Sequence, residues 1–125
     1  MYELVVEDRF ESAHNLRGYK GRCERLHGHN WRVQAFLRSE SLTKQGFVLD
    51  FKEIKLCLKD IIGRLDHNYL NKIPPFKKDN PTSENIARYI FRKLASRLNS
   101  KKITLYKVSV WESETSCASY FKDTE

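Results

Sequence analysis

At 125 residues the chain reads as a single domain, 1–125, long enough to bury roughly two thirds of the surface it exposes when unfolded. Hydrophobic residues make up 40% of it, with only 5 Gly and 3 Pro and no repeat, which excludes a fibrous or disordered protein. A net charge of +7, dispersed without a basic tail or nucleic-acid motif, favours an anionic partner and makes nucleic acid an unlikely one; a merely solvated basic surface is the plain alternative.

The opening MYELVVEDRF sets acidic residues beside a short apolar run, unlike a signal peptide, and no stretch approaches the length of a membrane span. Leu4, Val5 and Val6, followed by Phe10 and Ala13, read as a first strand. A loop rich in Gly and charge follows from Leu16 to Leu26. NWRVQAFLR then alternates Trp31, Val33, Ala35 and Leu37 against Asn30, Arg32, Gln34, Phe36 and Arg38, the two-residue period of a half-buried strand. Asp50 is placed to cap a helix whose apolar stripe is Phe51, Ile54, Leu58, Ile61, Ile62 and Leu65, with Cys57 a small buried hydrophobe near it. Pro74 and Pro75 mark a loop. A second helix, starting at Asn80-Pro81 or Thr82 and running to about Leu98, carries Ile86, Ile90, Leu94 and Leu98 on one face. ITLYKVSVWES and SCASYF close the chain as two strands. This order predicts an α+β domain, an antiparallel sheet with two helices on one face. Three scattered cysteines, with no export signal, point to free thiols and a cytoplasmic protein.

Chemistry concentrates in CERLHGHNW. His27 and His29 point the same way if the second strand begins at about Arg25, because successive strand side chains face opposite sides. His14, at the end of the first strand, would come opposite them if the two strands pair antiparallel. Three neutral imidazoles and one open position are the donor set of a catalytic zinc (Zn2+) rather than a structural one. An isolated His-x-His is more often a surface or core pair, and for the trio both readings stand at this point. Gly28, lacking a side chain, is expected to relieve crowding on the reverse side. His67 follows Asp66 just after the first helix, either oriented by that carboxylate or resting on the helix dipole.

In chain order, FESAH at 10–14, CERLHGH at 23–29, GFVLDF at 46–51, LDHNYLN at 65–71, NPTSEN at 80–85 and VWE at 110–112 resemble the 6-pyruvoyltetrahydropterin synthase and 6-carboxytetrahydropterin synthase family. The resemblance implies the tunnelling fold and a homo-oligomer, commonly a hexamer, with active sites at subunit boundaries. It implies zinc ligands His14, His27 and His29, a catalytic Cys23, and proton-transfer partners Asp66 and His67. Glu112 would anchor a pterin, accepting two ring N–H groups at once, and share in the proton relay, and Thr82, Ser83 and Glu84 would complete the pocket. Without the resemblance, Glu112 reads as an exposed strand charge and Thr82 and Ser83 as helix caps. The implied substrate is 7,8-dihydroneopterin triphosphate, with Arg17, Lys20, Arg22 and Arg25 as candidates to meet its phosphates, and no nucleotide cofactor is needed.

Three products are possible on such a scaffold: 6-carboxy-5,6,7,8-tetrahydropterin with loss of acetaldehyde, the pyruvoyl compound, or 6-hydroxymethyl-7,8-dihydropterin. The last uses a glutamate in Glu-x-x-His-Gly-His in place of the cysteine. Cys23 and Glu24 satisfy both patterns here, although Glu24 is equally a solvated loop carboxylate beside Arg22 and Arg25. The short chain with LDHNYLN and NPTSEN looks most like the carboxy-forming enzymes. A pterin-binding or nucleic-acid-binding oligomer without catalysis is the alternative from another class.

Overall fold

The computed structural model of the chain describes residues 1–19, 21 and 24–122. The alternation in NWRVQAFLR sets its architecture: β2 (His27–Ser39) turns Trp31, Val33, Ala35 and Leu37 to one face, all four sealed from solvent. β1 (Tyr2–His14) pairs antiparallel along its whole length, from Tyr2 opposite Ser39 to His14 opposite His27. β3 (Thr104–Ser113) and β4 (Ser116–Tyr120) extend the antiparallel sheet in the order β1-β2-β3-β4. The first strand is longer than its apolar residues suggest, and β2 begins at His27 rather than Arg25, which leaves the parity of His27 and His29 unchanged.

Two helices cover the apolar face. In α1 (Phe51–Gly63) the Asp50 carboxylate accepts the Lys52 N–H at 2.9 Å, as an N-cap should, and Ile54, Leu58, Ile61 and Ile62 are buried. Phe51 stays 51% exposed, since the core cluster ends one turn further on at Ile54. Cys57 is half-buried against that core. In α2 (Ser83–Leu98) the Thr82 hydroxyl caps the Asn85 N–H at 3.1 Å, and Ile86, Ala87, Ile90, Phe91, Leu94 and Leu98 pack inward. α1 lies over β1 and α2 over β3 and β4. The domain is thus α+β, with strand and helix order β-β-α-α-β-β.

The segment after α1 is stitched back onto β1. The Ala13 N–H donates to the Asn68 carbonyl at 3.2 Å and the His67 N–H to the Glu11 carbonyl at 2.6 Å, so residues 67–69 occupy the outer edge of β1 at its C-terminal end. A short turn of 3-10 helix, Leu70–Lys72, follows. Arg17 then locks the next loop, its guanidinium donating to the carbonyls of Phe76 at 2.7 Å and Asn71 at 3.2 Å. Among the described residues, no helix is long and apolar enough to cross a membrane.

Candidate metal and catalytic centre

The core face of the sheet changes chemistry at one end. Along β1 and β2 it runs from Val6 and Val33 through the stacked pair Phe10 and Trp31 to His14, His27 and His29. The antiparallel register sets His14 directly opposite His27, and strand alternation adds His29 on the same side. Ring centroids lie 4.5 Å apart for His14 and His27, 5.1 Å for His14 and His29, and 4.8 Å for His27 and His29. One ligand nitrogen from each ring falls within 4.8 Å of the others, so the three could hold one metal ion. Trp31 forms the floor, its ring 5.0 Å from His14 and 5.2 Å from His29.

Backbone carbonyls orient two of the rings. His14 Nδ1 lies 2.7 Å from the Pro81 carbonyl oxygen and His27 Nδ1 lies 2.7 Å from that of Arg25. A carbonyl oxygen can only accept, so Nδ1 carries the proton in each and Nε2 presents its lone pair. The Nε2 atoms of His14 and His29 are buried without a hydrogen-bond partner among the described residues. An orphaned ring nitrogen is costly in a closed interior, and a lone pair there, as on His14 Nε2, suits a cation. Glu112 on β3 brings Oε1 to 3.4 Å from His29 Nε2, outside hydrogen-bond geometry.

Burial pushes the pKa of His14 below its ordinary 6.5, against a raising effect of the Pro81 carbonyl, and burial likewise pushes His29 down despite Glu112. For the metal-free chain this sets a sign. The unfolded histidines take up protons at about their ordinary value while the folded ones resist, so falling pH favours the unfolded state. Thermal unfolding of metal-free protein is therefore expected to show Tm dropping as pH falls below about 6.5. A His14→Asn variant should flatten that slope; an unchanged slope would contradict the assignment.

A second group gathers around Glu11, on the face of β1 opposite His14. His67 Nδ1 is 3.0 Å from Asp66 Oδ1, and His67 Nε2 is 3.5 Å from Glu11 Oε2. The Glu11 N–H also donates to Asp66 Oδ1 at 2.9 Å, which is the largest reason the Asp66 carboxyl is held below its usual 3.8. Glu11 therefore grips the pair through its N–H, its carbonyl and its side chain. His67 adopts a left-handed backbone, φ 54°, unusual for a residue with a side chain, and held here by the 2.6 Å bond from its N–H to Glu11. Glu11, Ser12, Gly28, His29, His67 and Tyr69 line one open cavity of about 530 Å³. A neighbouring cavity of about 450 Å³ is lined by Arg9, Arg32, Glu112 and Glu114, and Asn30 lines both.

The other candidate residues take varied places. Cys23, Lys20 and Arg22 lie outside the described residues. Glu24 is exposed on the loop, its N–H donating to Gly21 at 3.2 Å. Thr82 is engaged as the α2 cap, Ser83 is half-buried and Glu84 exposed. Arg17 is spent on backbone carbonyls rather than left to meet phosphate, since the loop it closes would otherwise leave those oxygens unpaired. Arg25 is exposed. The expected crowding at Gly28 is not found: an added Cβ would meet only the Ser12 carbonyl oxygen at 4.0 Å, because this end of the ladder is open on its reverse face.

The sequence model of the 6-pyruvoyl tetrahydropterin synthase family matches residues 3–123. The chain belongs to that family. A 6-carboxy-5,6,7,8-tetrahydropterin synthase from Synechocystis is 38% identical, over 97% of this chain and 94% of its own. A dihydroneopterin monophosphate aldolase from Pyrococcus furiosus is 33% identical, over 87% of this chain and 88% of its own. In three dimensions the 6-pyruvoyl tetrahydropterin synthase of Caenorhabditis elegans superposes with a TM-score of 0.87 at 30% identity, covering 98% of this chain and 96% of that one.

Proposed function

We propose that the chain is a zinc-dependent 6-carboxy-5,6,7,8-tetrahydropterin synthase, converting 7,8-dihydroneopterin triphosphate and water to carboxytetrahydropterin, acetaldehyde and triphosphate. The observation that carries this is the trio of converging imidazoles, two with buried unpartnered Nε2 atoms, in a chain 38% identical to a protein of that name. His14, His27 and His29 would hold the ion, and when bound it supplies Lewis acidity toward the oxygens of the substrate side chain. Glu112 would accept the N–H groups of the pterin edge, a charge-assisted and geometrically selective contact. Since Glu112 Oε1 lies 3.4 Å from His29 Nε2, a ring held at Glu112 could extend its side chain toward the histidines. His67, held between Asp66 and Glu11, would move a proton at Nε2, and Cys23, as thiolate, would take a side-chain proton. The edges of the sheet at β1 and β4 are where further copies would join in a hexamer.

A second reading is favoured by the aldolase relative and by Glu24, which stands three residues before His27 and would act as base in side-chain cleavage to 6-hydroxymethyl-7,8-dihydropterin. Mass spectrometry of the products formed from dihydroneopterin triphosphate by the zinc-loaded protein separates the two. Carboxytetrahydropterin with acetaldehyde is expected; hydroxymethyl or pyruvoyl product alone would overturn the choice. Glu24→Ala is expected to remove any hydroxymethyl product while sparing the carboxy product.

A further inference from the structure

A third cavity, about 530 Å³, lies between the end of α1 at Arg64, the loop carrying Pro74, Pro75 and Phe76, and one stripe of α2. It shares no lining residue with the histidine cavity. Asn85, Arg88, Tyr89 and Arg92 recur on α2 at i, i+3, i+4 and i+7, so all face the same side, opposite the buried stripe. With Arg64 and Lys93 they bring four cations around one concavity, against the single carboxylate of Asp79. Among the described residues, only Arg88 of the four pairs with an acid, Asp79 at 3.9 Å, and its guanidinium is further oriented by the Asn85 side-chain oxygen at 2.9 Å.

Arg88 and Arg92, four apart on a helix, repel each other in the absence of an anion. An anion between them would reverse that cost, and guanidinium forks match phosphoryl oxygens two at a time. The floor is aromatic: Phe76 is buried and packs 5.4 Å from the Tyr89 ring, which lines the cavity. The volume is that of a small-molecule site, and a nucleic-acid backbone would need a longer track of cations than one stripe supplies.

We propose that this cavity binds a small oligophosphate-bearing molecule, its phosphoryl oxygens held by Arg64, Arg88 and Arg92, with Tyr89 available to a planar group attached to them. The site is independent of the pterin reading. Isothermal titration calorimetry of the full chain at low salt, with sodium tripolyphosphate and separately with ATP, tests it. Either probe should bind, and Arg92→Glu should weaken binding at least about tenfold, as expected for one lost charge-assisted contact. Arg25→Ala, on the loop by the histidines, should leave that binding unchanged, and Arg92→Glu should leave turnover unchanged. Equal affinity for the two probes would assign recognition to phosphate alone. Tighter ATP binding that Tyr89→Ala abolishes would place the base on Tyr89; both results support the site. Failure of both probes to bind, binding that survives Arg88→Glu and Arg92→Glu, or binding of nucleic acid alone would overturn it.

Discussion

Replacing His27 with alanine is expected to empty the proposed zinc site and to lower kcat/KM by about 10³-fold or more, on the order of 4 kcal/mol of lost transition-state stabilisation. His27 is the informative choice among the three. It is half-buried at the mouth of the cluster, whereas His14 is sealed in the core against Trp31 and its removal would also leave a void. His14 and His29 alone would offer two nitrogens, too few for a stable tetrahedral ion. Metal analysis by mass spectrometry, kinetics, and circular dichroism to confirm folding would together decide the matter. Full zinc content and turnover in a folded His27→Ala protein would sink the assignment. His27→Asn is expected to fail in the same way, since an amide is a poor substitute for the imidazole lone pair.

Much of this site is legible in the sequence. The alternation of β2 placed His27 and His29 on the buried side of a strand, and antiparallel pairing brought His14 opposite, because each depends on local periodicity and one short connection. Asp50 and Thr82 announced both helix starts through their capping side chains. What stayed hidden are contacts made across long stretches of chain. Pro81 orients His14 from 67 residues away, and Arg17 closes a loop more than fifty residues downstream. Such partners are chosen by how the 64–81 segment folds back on β1, and no periodic signal marks it. Glu11 was missed for the same reason. Alternation puts it on the face opposite His14, where an acidic strand residue reads as solvated, and only the wrapping of 67–69 along the β1 edge gives it a partner. Gly28 erred the other way: a steric need was inferred where the open strand end imposes none.

The Glu11, Asp66 and His67 group yields the second large expected effect. His67→Ala should reduce kcat by about 10²- to 10⁴-fold, the usual contribution of a positioned acid or base, while leaving zinc content intact. The separation of those two readouts matters, because a His67 needed only for folding would lose metal as well. Glu11→Gln probes a subtler role. Its backbone N–H and carbonyl, which hold Asp66 and the left-handed His67, are untouched by the substitution, so the fold of this corner should persist. Only the carboxylate 3.5 Å from His67 Nε2 changes, from an acceptor carrying charge to a neutral amide. As a positioning residue Glu11 should then show a fall in kcat of about tenfold with little change in KM, and an altered pH profile of kcat. Glu11→Asp, which keeps the charge but shortens the reach, should recover part of the loss. A Glu11→Gln protein with unaltered kcat and pH profile would show that the imidazole is set by Asp66 and the backbone alone. A matched loss in kcat and zinc content would mean that the carboxylate supports the metal centre rather than the proton path.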